Sequence, residues 1–239
     1  MATRQLTAAI DGLPDTAARG ASLLPGWTRG HVLSHLARNA EAGVRLLDWA
    51  RTGVPSRQYE SLGAREADIE AGAGRPVAEL AQDVRQTAAA FADEAAAMPP
   101  QAWQRVVRYA AGEEPAAVAI VPARLAEVLV HHVDLDIGYR SSDWPAPFTG
   151  AALSRVTAFL RESGQAGEFA QLRGTDTGHT FDLRPVSSGP AGLVVAGPEH
   201  ELLAWLLGRS GGRSLTGLAG PAGPVPAAPG LAGFSWVGR

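Results

Sequence analysis

The chain has 239 residues, 46% of them hydrophobic and 19% charged, and its formal net charge is −3. It contains no cysteine and no lysine, so all 21 basic residues are arginine. These absences exclude disulfides, thiolate metal sites, a protein-borne thiol nucleophile, Schiff-base chemistry and the lysine of a P-loop.

Any metal or covalent chemistry therefore rests on His, Asp, Glu, Ser, Thr or Tyr, or on a group brought from outside. The scattered arginines and mild negative balance argue against nucleic acid as a partner. No apolar run reaches the 18 or so residues needed to span a bilayer. The start, Met1 to Leu6, lacks the pattern of a secretory signal, and a cytoplasmic protein is the expectation. The evenly scattered charge carries no signal of oligomeric state.

In chain order, the first 140 or so residues read as helix, with apolar residues recurring every three or four positions. A first helix is expected from about Arg4 to Leu23, with Leu6, Ile10, Leu13 and Ala17 on one stripe, broken by Pro25-Gly26. Thr28 occupies an N-cap position, and a long helix follows to about Arg51 with Val32, Leu33, Leu36, Val44 and Leu47 inward. The stretch from Ser56 to Arg75 reads as a loop with a short helix near Glu66 to Glu70.

A third long helix is expected from Pro76 to about Met98. Arg105 to Tyr109 and Ala116 to Ile120 then flank a Gly-Glu-Glu-Pro turn as a hairpin or irregular crossover. A fourth helix spans about Pro122 to Tyr139. Four amphipathic helices with one longer connection make a four-helix bundle.

The composition changes after Arg140. Ser141 to Pro147 reads as a linker. A helix from Gly150 to Ser163, strands at Phe169 to Arg173, His179 to Arg184 and Gly192 to Ala196, and a helix from Glu199 to Leu207 follow. The stretch from Gly217 to Gly233 reads as low-complexity and loosely ordered. The expected division is a bundle over 1–142 and a small α+β domain over 143–239.

Four of the six histidines fall as pairs on bundle helices. His31 and His35 are four apart and share one helix face, as do Glu127 and His131. A carboxylate and an imidazole at that spacing can share one metal, with a histidine of a neighbouring helix as third ligand. Three N/O ligands with an open position form the catalytic zinc pattern, which nickel or ferrous iron would also accept. Asp134 is spaced to hold the second nitrogen of His131. The competing reading of Glu127 and His131 is a surface ion pair. Against it stand Leu125, Val128, Leu129, Val130 and Val133, which make the helix apolar almost all round, and a buried Glu and His need a shared partner.

His132 reads as a packing or capping residue, and His179 and His200 as solvated. The run Gly208-Arg209-Ser210-Gly211-Gly212-Arg213 follows a helix instead of opening one, which argues against a phosphate cradle. Its arginines could bind a carboxylate through a bidentate fork, although Arg213 reads as a solvated charge.

The segment Gly26-Trp27-Thr28-Arg29-Gly30-His31-Val32-Leu33-Ser34-His35-Leu36-Ala37-Arg38-Asn39-Ala40 resembles the signature of the mycothiol-dependent maleylpyruvate isomerases, and so does Glu127 to Leu135. The resemblance extends over the whole chain. It implies a mainly α fold, a DinB-like four-helix metal domain followed by a small α+β domain. It places the metal ligands at His35, Glu127 and His131, choosing His35 over His31, and implies zinc as the metal and mycothiol as the thiol cofactor.

It further matches Arg209 to a catalytic arginine in a turn after a helix, where this chain has Gly-Arg-Ser in place of Gly-Arg-Gly. Arg65, in an Ala-Arg-x-Glu context, matches a second arginine more loosely. The implied reaction is cis–trans isomerisation of a maleylpyruvate-like unsaturated dicarboxylate by thiol addition, bond rotation and thiol elimination. The metal would activate the thiol or polarise a substrate carbonyl. The alternatives are an S-transferase that conjugates the thiol to an electrophile and a non-catalytic metal- or ligand-binding module.

Overall fold

The structure, a computed structural model, describes residues 1–184, 192–219 and 224–237. These form two compact units, one made of Met1–Gly138 with the described end of the chain from Ser235, the other of Tyr139–Phe234. Among the described residues no helix is long and apolar enough to cross a membrane.

The first unit is helical. It contains α1 (Ala2–Ile10), α2 (Asp15–Arg19), α3 (Arg29–Thr52), α4 (Leu62–Ala73), α5 (Val77–Ala96) and α6 (Ile120–Asp134). Helix α3 packs on α4, α5 and α6, and α1 closes the ring against α5 and α6. The resulting four-helix bundle is built from α1, α3, α5 and α6, with α4 laid along α3. Its core is a layer of aliphatic side chains including Leu6, Ile10, Leu33, Leu36, Leu80, Val84 and Val128, the inward stripes that the spacing of apolar residues demands.

The single first helix expected from Arg4 to Leu23 is two helices. Gly12 takes φ +81°, and Pro14, with no N–H to donate, precedes the second one, so the helix cannot run through. Helix α4 is a full 12 residues, longer than the short helix expected near Glu66. Ser61 caps it, its hydroxyl accepting from the Ala64 N–H at 3.0 Å. Helix α6 ends at Asp134, five residues before the expected end, because Asp136 and Gly138 both adopt positive φ. Leu125 on this helix is 40% exposed, so one edge of α6 faces solvent. The crossover before α6 is a 3-10 turn at Pro100–Gln104, one bridge between Val106 and Ala116, and a 3-10 turn at Ala117–Ala119.

Gly30 is required by packing. A Cβ there would collide with the carbonyl oxygen of Ala73, so α3 and α4 approach backbone to backbone at this point. That contact brings the start of α4 alongside His35.

The second unit holds a four-stranded mixed sheet in the order β2-β1-β3-β4, with β1 at Phe169–Gly174, β2 at Thr180–Asp182, β3 at Leu193–Gly197 and β4 at Thr216–Ala219. Strands β1 and β3 are parallel, and β2 and β4 pair antiparallel to them. Two helices complete the unit, α7 (Ala146–Ser163) and α8 (Glu199–Leu206). Helix α8 packs on β1 and β3, while α7 packs on β2 and α8.

Two expectations change here. Helix α7 begins within the presumed linker, where Pro145 and Pro147 supply the φ that a first turn needs. Strand β4 begins one residue before, and runs into, the stretch read as loosely ordered, because Val194, Val195 and Ala196 of β3 offer it an edge. Residues 220–223 of that stretch lie outside the described residues.

Candidate metal centre

The centre is assembled across α3 and α6. Thr28 caps α3 as expected: its hydroxyl accepts from the His31 N–H at 3.4 Å, and the Thr28 N–H donates to His31 Nδ1 at 3.2 Å. This reciprocal capping box commits one nitrogen of His31. The other faces Glu70 at 3.0 Å. His31 is therefore a capping residue.

His35, one turn further along α3, is 5% exposed and points at α6. Its Nε2 lies 2.8 Å from Glu127 Oε2, and the same oxygen lies 3.4 Å from His131 Nε2. One ligand atom from each of His35, Glu127 and His131 fits within a 4.8 Å group. The structure thus brings together the three residues to which the resemblance assigns the metal. Trp27 packs its ring edge-on to His35 at 5.7 Å, and the His35 and His131 rings stand edge to face at 4.6 Å.

The second nitrogen of each histidine is held. His131 Nδ1 is 2.8 Å from Oδ2 of Asp134, whose side chain is fully buried. Nδ1–H donates to that carboxylate, which leaves Nε2 to face the cluster. His35 Nδ1 receives Arg65 Nη2 at 3.1 Å, from the first turn of α4. Arg65 can only donate, so Nδ1 accepts and Nε2–H is given to Glu127.

Burial and partners separate the two imidazoles. Burial drives the His35 pKa down to about 4 against the support of Glu127. For His131 burial acts the same way, but its hydrogen bonds to Asp134 and Glu127 prevail and push it up to about 9. Burial works to raise the Glu127 pKa, yet hydrogen bonds from His131 and His35 hold it well below the ordinary carboxylate value.

The donor set fits a divalent cation: two imidazoles and one carboxylate within reach of a common point, with one imidazole oriented by a buried carboxylate. Ligation through His35 Nε2 requires the ring proton on Nδ1, and Arg65 would then turn its fork elsewhere.

Three further side chains join this cluster that sequence reasoning did not single out. The Arg65 guanidinium sits 5.7 Å from the centroid of the Tyr59 ring. Burial raises the Tyr59 pKa although Arg65 opposes it, so the phenol keeps its proton. Tyr59 also lines a cavity of about 710 Å³ between the Pro55–Leu62 segment and residues 106–110, with Trp49, Arg57, Arg108 and Tyr109 among its walls.

Arg124 precedes Glu127 by three residues on α6 and is 7% exposed, with its Nη1 on Asn39 Oδ1 at 2.7 Å. Burial lowers its pKa to about 10, opposed by the charge of Glu127. A charged residue one turn from Glu127 on an apolar helix carried the same signal as Glu127 itself. Asn39 stands four residues after His35, one turn along the same face. Tyr59 lies in an irregular segment, where no periodicity marks it.

Arg209 belongs to the second unit. Helix α8 ends in a Schellman motif: Arg209 N–H bonds Ala204 C=O at 2.7 Å, Gly208 N–H bonds Trp205 C=O at 3.0 Å, and Gly208 takes φ +74°. The arginine is half-buried and its Nη1 donates to Leu207 C=O at 2.5 Å. His132 is buried as expected, at 2% exposure. His179 is largely exposed and faces the buried Glu199 at 2.9 Å, whereas His200 is only partly exposed, its side chain 29% accessible.

A four-helix bundle with a His/Glu/His cluster that could hold a metal ion, followed by a small α+β unit, defines a bundle protein with a candidate metal centre. Residues 1–136 match the model of the mycothiol maleylpyruvate isomerase N-terminal domain, and the chain belongs to this family. A solved structure of the mycothiol-dependent maleylpyruvate isomerase is similar at 26% identity and a TM-score of 0.84, covering 95% of this chain and 92% of that one. A histidine-to-alanine mutant of that enzyme matches at 25% identity with the same TM-score and coverage. No curated protein matches the chain.

Proposed function

We propose that the protein is a metal- and thiol-dependent cis–trans isomerase acting on a maleylpyruvate-like unsaturated dicarboxylate, with mycothiol as the thiol. The observation that carries this reading is the convergence of His35, Glu127 and His131 within 4.8 Å in a member of a family whose solved relative is a mycothiol-dependent maleylpyruvate isomerase.

A divalent cation held by His35, Glu127 and His131, zinc for this donor set, would supply the Lewis acidity that lowers the pKa of a thiol at neutral pH. The substrate's cis double bond becomes a single bond as the thiol's sulfur adds to one alkene carbon, rotates as the enolate, and re-forms trans when the carbon–sulfur bond breaks.

The protein's own residues do the rest. His35, Glu127 and His131 hold the cation, and Asp134 keeps the Nε2 of His131 directed at it. Arg65, within reach of His35, supplies a guanidinium for a substrate carboxylate. Arg209 is assigned the stabilisation of the enolate that forms on addition, a charge best met by a fixed fork. Zero cysteine fits this scheme, because the only sulfur nucleophile then arrives as the cofactor.

The test is turnover of maleylpyruvate with substoichiometric mycothiol. Formation of the trans isomer with the total free thiol conserved is expected. Stoichiometric loss of thiol into an adduct would instead establish the S-transferase, and metal-loaded protein inert in both assays a binding module. Arg209→Ala is expected to lower kcat by about 10²–10³-fold; an unchanged rate would remove Arg209 from the mechanism.

A further inference from the structure

The buried Arg124 has no role in the scheme above. The residue is 7% exposed. Nη1 is bound to Asn39, but Nη2 is buried and has no hydrogen-bond partner among the described residues. A guanidinium nitrogen in that position is costly unless something accepts from it.

Its surroundings define what that acceptor is. Helices α3 and α6 face each other in two successive rungs, His35 with Glu127 and, one turn away, Asn39 with Arg124. The charge of Glu127 acts on Arg124, and Arg124 in turn acts on Tyr59. Tyr59 belongs to the wall of the 710 Å³ cavity. The guanidinium is thus electrostatically coupled both to the His/Glu/His cluster and to the phenol that borders the cavity. Its one negative neighbour on α6, Glu127, is already engaged by two histidines. A planar cation with a free donor in such a place is suited to a carboxylate oxygen.

We propose that Arg124 Nη2 holds a carboxylate of the bound dicarboxylate, one helical turn from the metal ligands, so that Arg124 and Arg65 grip the two ends of one substrate. The proposal rests on the reading of this cluster as the substrate site. It makes Arg124 a specificity-determining residue for dianions, while the neutral thiol needs no such contact.

Calorimetric titration of the zinc-loaded protein with maleate, without thiol, tests the idea apart from turnover. Arg124→Met is expected to weaken maleate binding at least tenfold, and Arg124→Lys to recover part of it, since the charge remains but the fork does not. Zinc content and affinity for the neutral thiol N-acetylcysteamine should match the wild type. If Arg124→Met does not fold, Arg124→Lys alone decides, by a loss of maleate affinity at unchanged zinc content. Equal maleate binding in the wild type and the folded variants would overturn the role of Arg124 and leave the proposed function standing. Equal weakening toward the thiol would overturn it too. A wild-type protein that binds no maleate would overturn both readings.

Discussion

His131 Nδ1 lies 2.8 Å from the Oδ2 atom of Asp134, a carboxylate fully withdrawn from solvent three residues further along α6. Because Asp134 accepts from Nδ1, His131 presents Nε2 to Glu127, and the cluster owes half of its imidazole geometry to a residue outside it. Asp134→Asn keeps the size of the side chain but removes the charge that supports the ring. It is expected to lower zinc affinity by about 10–100-fold, measured by competition with a chromophoric chelator. Unchanged affinity would show that the ring is held by packing alone.

His31 and His35 have the same residue type on the same face of α3 and opposite duties. His31 caps the helix with Thr28, while His35 reaches Glu127. His35→Ala should abolish metal binding. His31→Ala should leave metal stoichiometry intact and cost about 1 kcal/mol through the lost bond between its ring and the Thr28 N–H, a fall of roughly 2–4 °C in Tm for a chain of this size. Elemental analysis of both variants beside thermal unfolding distinguishes the two; loss of metal from His31→Ala would reassign it as a ligand.

That pair also shows what a sequence reveals and what it hides. The apolar periods of α3, α5 and α6 declare those helices, and Glu127 and His131 advertise themselves by standing four apart on an apolar segment. Choosing between His31 and His35 requires knowing that α3 begins at Arg29 and that Thr28 claims the nearer ring, a matter of one turn of capping geometry. Arg124 carried the signal of Glu127, a charge on an apolar helix, but its meaning emerges only when Asn39 is seen across the interface. Tyr59 enters through an irregular segment whose position is set by tertiary contacts. Strand β4 was hidden for a related reason: Thr216–Ala219 has little β-propensity of its own and is ordered by the free edge of β3.

Removing the metal offers a test that needs no substrate. In its absence the cluster is held by the hydrogen bonds of Glu127 to two histidines, so the bundle should remain folded. Binding to the native state alone stabilises it by mass action, about 2.7 kcal/mol when free zinc reaches a hundredfold over Kd. Thermal unfolding of chelator-treated protein, with zinc added back stepwise, should show Tm rising with zinc concentration in the wild type and not in Glu127→Gln. A Tm indifferent to zinc in the wild type would mean that the cluster is a hydrogen-bonded network without a metal.

Gly30 links the fold to the site at a distance from any ligand atom. Its missing Cβ lets α3 meet the backbone of Ala73 in α4, and α4 is the helix that carries Arg65 to within 3.1 Å of His35. Gly30→Ala would force α4 outward, because the obstacle is a main-chain carbonyl that cannot rotate aside. Overpacking of this kind costs about 1–3 kcal/mol. Metal binding, which depends on α3 and α6, should survive, while Arg65 is carried away from the cluster with α4. The expected variant is therefore folded, metal-replete and less stable, with a raised KM for the dicarboxylate. Stability assays, zinc content and steady-state kinetics on one preparation check all three. A variant with wild-type KM would separate the placement of α4 from substrate binding and take Arg65 out of the substrate site.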